Sequence, residues 1–110
     1  MINWSNWYSM PSPETCRNIK GPEKFGVYQI RNKKTGQLIL FGESKYCRER
    51  MRSLFPKPYG TGTRNNENKR TYVLQNWKDL EYRTTETTSK AEAVRIDRQL
   101  KSDNNHLFNT

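Results

Sequence analysis

At 110 residues the chain is sized for one domain with a single modest core. It carries 20 Lys and Arg against 11 Asp and Glu, a formal net charge of +9, which favours a polyanionic partner such as nucleic acid. No apolar run approaches the ~18–20 residues of a membrane-spanning helix, no leader-like N-terminal pattern is present, and a cytoplasmic protein without a membrane role is expected. Two cysteines without C-x-x-C spacing and one histidine exclude a Cys/His zinc framework. They also leave little material for Ser-His-Asp or Cys-His catalysis.

Residues 1–24 read as an aromatic flap and a short helix. Ile2, Trp4, Trp7 and Tyr8 either pack over one side of a sheet or offer rings on which bases stack. Ser12-Pro13-Glu14 starts the helix, with serine as cap, proline in the first turn and glutamate at the positive dipole end. Gly21-Pro22 ends it. The main domain is expected over residues 25–110. Two apolar strands, 25–31 and 37–41, flank the polar run Asn32-Lys33-Lys34-Thr35-Gly36. Glycine there supplies a positive φ, so the pair reads as a hairpin. Gly26, Tyr28 and Ile30 fall on one face of the first strand; Phe25, Val27 and Gln29 fall on the other. Residues 38–41 are continuously apolar and read as the central strand of the sheet.

Ser44 is expected to cap a basic helix over residues 45–54. Cys47, Met51 and Leu54 form its apolar stripe, Arg50 borders the stripe, and Arg48 and Arg52 lie further round. Arg50 is read either as a stem covering the core or as a planar clamp on phosphate. Residues 56–66 are a loop by composition, without the G-K-[ST] ending of a Walker loop. A second helix follows over roughly residues 66–77. Arg64, Lys69 and Arg70 are candidate backbone contacts, or equally a solvated surface. Residues 79–85 alternate apolar and polar as a third strand. Ser89-Lys90-Ala91-Glu92 is a capping box opening a last helix over residues 90–101. Ala93, Ile96 and Leu100 make its buried stripe, and Asp97 intrudes on it. A carboxylate so placed is costly unless paired or metal-bound. Glu92, the competing acid, is already explained by capping. Leu107 and Phe108 are expected to anchor the tail on the sheet, leaving Asn109 at the site edge or merely capping the tail. The fold expected is a small α/β (α+β) domain, a three-stranded, mostly antiparallel sheet flanked by helices.

Gly26-Val27-Tyr28 is followed by Leu40-Phe41-Gly42, and Arg50 comes eight positions after Gly42. Ala93, Asp97 and Leu100 then fit an A-x-x-x-E-x-x-[LI] helix, and Asn109 follows Asp97 by twelve. This series resembles the GIY-YIG nuclease superfamily over residues 25–109. The resemblance implies hydrolysis of DNA phosphodiester bonds, with Tyr28 positioning or activating water and Arg50 stabilising the phosphate. It implies Mg²⁺ or Mn²⁺ held by Asp97, with Glu92 the alternative ligand. Gly42, Arg48, Arg52, Arg64, Lys69, Arg70 and Asn109 would contact substrate. Leu40 stands where the family has its second tyrosine, and Tyr46 and Tyr59 lie near enough in sequence to replace it. Asp97 stands where the family has glutamate. These two departures define a rival expectation, a catalytically inactive nucleic-acid binder. A third is a protein-interaction domain using Trp4 and Trp7, which steep salt dependence of binding would separate from the others.

Overall fold

The computed structural model describes residues 2–62 and 67–109. Its centre is a four-stranded antiparallel sheet in the order β1-β4-β2-β3, built from β1 (Tyr8–Ser9), β2 (Gly26–Asn32), β3 (Leu38–Ser44) and β4 (Leu80–Glu86). Three α-helices flank it: α1 (Cys47–Arg52), α2 (Glu67–Asn76) and α3 (Lys90–Asp103). Single 3-10 segments precede β2 and β4, at Pro13–Asn18 and Trp77–Asp79. The domain is therefore α+β, with one strand more than the sequence pattern predicts. The extra strand comes from the aromatic N-terminal segment, where Tyr8 and Ser9 pair with Tyr82 and Glu81.

The hairpin forms where expected. The Asn32 side-chain oxygen accepts from the backbone N–H of Lys34 at 2.9 Å and of Thr35 at 3.2 Å. Gly36 then takes φ of +77°, the left-handed conformation that a glycine adopts without strain. The β3 strand, however, lies at the sheet edge, and β2 is central. A continuous apolar run signals burial on both faces, and β3 has that without a central place. Packing on α3 buries Phe41 on one face, and Leu40 joins the core that includes α1 on the other. The C-terminal tail closes its outer edge. Leu107 and Phe108 donate backbone N–H groups to the carbonyls of Leu38 and Ile39, at 3.0 and 2.8 Å.

Alternation along β2 divides the core in two. Tyr28 and Ile30 join Leu40, Met51, Leu54, Phe55 and Val73 beneath α1 and α2. Val27 and Phe41 join Ala93, Ile96 and Leu100 beneath α3. The N-terminal segment runs along the free edge of β4. The Ser5 N–H donates to the Thr84 carbonyl at 2.8 Å, and the Met10 N–H to the Leu80 carbonyl at 2.9 Å. Its tryptophans pack on the sheet. The Arg83 guanidinium lies 4.4 Å from the Trp4 ring centroid and 4.5 Å from that of Trp7, and Arg31 lies 4.1 Å from Trp7. Each of those cation–π contacts covers a ring face on which a base could otherwise stack.

The caps differ by position. Ser44 is not the cap of α1: Tyr46 holds that place, and the Ser44 hydroxyl accepts from the Tyr46 N–H at 2.8 Å. At α3 the Ser89 hydroxyl accepts from the Glu92 N–H at 3.2 Å, one of the two bonds of the expected capping box. The helix ends on Asn104 at φ +53°. Among the described residues, no helix is long and apolar enough to cross a membrane.

Candidate functional site

The two halves of the sequence motif face each other. Tyr28 and Gly42 are direct cross-strand partners in the hairpin. The Tyr28 ring extends over Gly42, and a Cβ added at Gly42 would lie 2.7 Å from the ring carbon that bears the hydroxyl. The missing side chain at Gly42 thus makes the space for the phenol. Tyr28 is 1 % exposed and packs with Cys47 and Met51 of α1. Leu40 is fully buried opposite Ile30, so the position where the resemblance would put a second tyrosine is filled by core. Tyr46 and Tyr59 are exposed.

The basic residues of α1 divide by environment. Arg50 is exposed, on the helix directly after the hairpin. The Arg48 Nε donates to the Ile19 carbonyl at 3.1 Å, which ties α1 to the end of the first 3-10 segment. Arg52 is half-buried, and its Nε is buried without a hydrogen-bond partner among the described residues. Arg64 lies outside the described residues. In α2, Lys69 is buried at 4 % exposure and Arg70 is half-buried.

A second group forms where α2, α3 and the tail meet. Asp97 is half-buried on α3. Burial raises its carboxyl above the usual carboxylate range, while Lys101 and Lys69 pull in the opposite direction. Lys101 is one helical turn on from Asp97, and Lys69 comes from α2. The Asn109 amide donates to the Lys101 carbonyl at 2.8 Å. Its own oxygen is buried with no partner among the described residues. Phe108 holds the tail here, edge-on to Tyr72 of α2 with ring centroids 6.0 Å apart. Lys69, Asp97, Lys101 and Asn109 therefore share one neighbourhood. Glu92 lies roughly 140° round the helix from Asp97 at 100° per residue. Its carboxylate accepts from the Thr88 hydroxyl at 3.0 Å and not from the Ser89 N–H, so the capping box forms only through the Ser89 side chain.

The donor chemistry at Asp97 suits a hard cation. Among the described residues there is no group of three or more His, Cys, Asp or Glu side chains to form a protein cage. Asp97 supplies one carboxylate, and the orphaned Asn109 oxygen is a second hard donor on the same stretch of α3 and tail. A Mg²⁺-type ion commonly takes one or two carboxylates and completes its shell with water and substrate oxygens. The set fits such an ion only together with a phosphate.

Asp97 leads to a stability prediction. A carboxyl with a raised value favours its neutral form in the folded protein. Its ionisation therefore subtracts stability as pH rises through the unfolded value towards the folded one. Asp97→Asn removes that charge, so it should melt no lower than the wild type at pH 7. Thermal melts check this, and a clear drop in Tm would make Asp97 a structural ion-pair partner.

Sequence reasoning passed over two features. Lys101 carries a detectable signal, since a lysine four positions after an aspartate shares its helix face. The other is a buried polar relay. The Arg83 Nε donates to the Gln29 oxygen at 2.7 Å, and the Gln29 amide lies 3.0 Å from the His106 Nε2. Arg83 faces Gln29 only through the β2–β4 register, which no local pattern reveals.

The chain matches no protein-family model, no curated protein and no solved structure in the comparisons made.

Proposed function

We propose that the chain is a GIY-YIG-type, metal-dependent endonuclease that hydrolyses phosphodiester bonds in DNA. The observation that carries this reading is the direct opposition of Tyr28 and Gly42, with the phenol held against the glycine backbone by the hairpin register. The excess of 20 Lys and Arg over 11 Asp and Glu supports a polyanionic substrate.

In this reading Tyr28 orients the attacking water. A phenol, which ordinarily ionises only near pH 10, needs a nearby positive charge to act as a base at neutral pH. Arg50, exposed on α1, offers a planar donor set to the phosphate as charge accumulates. Asp97 and the Asn109 oxygen would hold Mg²⁺ or Mn²⁺, which when bound supplies charge neutralisation at the phosphate. Lys69 and Lys101 hold positive charge beside Asp97. They would draw the phosphate in and offset part of the burial that raises the Asp97 carboxyl.

One observation favours the second reading, a binder without catalysis. Leu40 is fully buried and Tyr28 is 1 % exposed, as core residues are.

The test is cleavage of supercoiled, linear and branched DNA with Mg²⁺ or Mn²⁺, beside Arg50→Ala and Asp97→Ala. Wild type should cut, and each variant should lose about 100-fold or more, the scale of removing one transition-state contact. Salt-sensitive DNA binding without cutting would establish the binder. Neither cutting nor binding would remove nucleic acid from the account.

A further inference from the structure

The outer face of α3 carries cations that the candidate site does not use. Ala93, Ile96 and Leu100 bury the inner face against the sheet. On the opposite face a shallow groove of about 450 Å³ is lined by Ala91, Val94, Arg95, Arg98, Gln99 and Ser102. Among the described residues no carboxylate lines it. Arg95 and Arg98 are exposed, and neither is tied into a hydrogen bond or ion pair with another described residue. Gln99 is engaged by Asp103, at 2.9 Å, on the flank of the groove.

Helical geometry links this groove to Asp97. At about 100° per residue, Lys101, Arg98 and Arg95 follow Asp97 round the helix at intervals of roughly 40–60°. The three cations form one continuous arc that begins beside the candidate metal ligand. Glu92 and Asp103 lie beyond its far end. From residue 95 to 101 the arc spans about 9 Å of helix axis. Over that length one DNA strand presents two to three phosphates, at about 3.4 Å each along the duplex axis. Small and uncharged side chains at Ala91 and Ser102 leave the groove floor open.

We propose that Arg95 and Arg98, continuing from Lys101, form a second backbone-binding surface that holds DNA phosphates flanking the one presented to Asp97. The proposal rests on the nucleic-acid reading above and extends it to a face outside the hairpin. Contacts of this kind supply affinity and register without base choice.

The experiment is fluorescence anisotropy with a labelled 20-base-pair duplex in EDTA, from about 50 to 200 mM NaCl, the range in which phosphate contacts are read out. Wild type is compared with Arg95→Ala/Arg98→Ala, with Arg95→Lys/Arg98→Lys, and with Lys33→Ala/Lys34→Ala in the exposed hairpin turn. Circular dichroism melts confirm that each variant folds. The arginine-to-alanine pair should bind about tenfold or more weakly, and its log–log salt slope should shrink by about 2, one per lost phosphate contact. The lysine pair should keep the wild-type slope, and the turn variant should stay close to wild type. Cleavage in Mg²⁺ is measured in parallel. If the duplex is bound through this arc but not cut, the proposal stands and the enzyme reading falls. If the alanine pair binds like wild type, or loses no more than the turn variant, the proposal is overturned while the enzyme reading is untouched. Wild type that binds polyglutamate but not the duplex overturns both, in favour of an acidic protein partner.

Discussion

Gly42→Ala should both destabilise the domain and silence cleavage. The added methyl would meet the Tyr28 ring at 2.7 and 3.0 Å, and at the hydroxyl itself. Tyr28 has no room to yield, since it is 1 % exposed and packed under α1. Overpacking of this kind costs about 1–3 kcal/mol. The phenol must also move, and a misplacement near 1 Å costs catalysis on the order of 100-fold. Urea melts and cleavage rates on the same preparation measure the two effects. Tyr28→Phe/Gly42→Ala makes the test sharper, because it removes the oxygen closest to the new methyl. The double variant should regain part of the stability and none of the activity. An alanine variant with wild-type stability and rate would show that the Tyr28–Gly42 contact is not fixed.

Acid should weaken the fold through His106. This residue is 7 % exposed and packs tilted against Phe41 with ring centroids 4.5 Å apart. Burial pushes its imidazole down to about 4, the Arg83 charge adds to that, and Asp103 opposes it. The relay explains why a proton is unwelcome. Gln29 uses its oxygen for Arg83, so it turns its amide N–H towards His106 Nε2, which must accept. Protonation would set two donors against each other. Because the folded value lies below the ordinary 6.5, the stabilisation is complete above that pH. It is lost progressively as pH falls from about 6.5 towards 4, up to about 3 kcal/mol in total. Denaturant midpoints at pH 7 and 4.5 should therefore fall further for wild type than for His106→Gln. Carboxylate titrations are common to both proteins and cancel in the difference. Parallel pH profiles would mean that His106 takes a proton without penalty.

Local features were legible in the chain because their physics is local. The hairpin follows from Asn32 and Gly36, the start of α3 from Ser89, and the inner face of α3 from the spacing of Ala93, Ile96 and Leu100. Asp97 stood out as a carboxylate interrupting that stripe. What escaped depends on partners far along the chain. Tyr8–Ser9 is two residues long and is a strand only because β4 lies beside it. The apolar run of β3 signals burial on both faces, and helices provide that at an edge as well as a centre. Arg48 also has a structural tie that no local pattern shows, since its Nε donates to the carbonyl of Ile19, 29 positions away. The Gln29–His106 contact spans 77 positions, and its orientation depends on Arg83. Lys101 was the reverse case, available from simple helix spacing and passed over.

The N-terminal strip and the C-terminal tail close opposite margins of the sheet, and this has a consequence for how the protein is made. Ser5 reaches Thr84 across 79 positions, while Leu107 bonds back to Leu38. The β2–β3 hairpin is able to form as soon as it is synthesised, but neither margin is covered until most of the chain exists. Long-range closures of this kind slow folding and leave strand edges open in the meantime. Newly made chains should therefore pass through a hairpin-containing stage in which unpaired strand edges invite self-association, and crowding on a polysome should aggravate it. The finished domain, with both margins occupied by its own chain, should be far less prone to recruit a foreign strand.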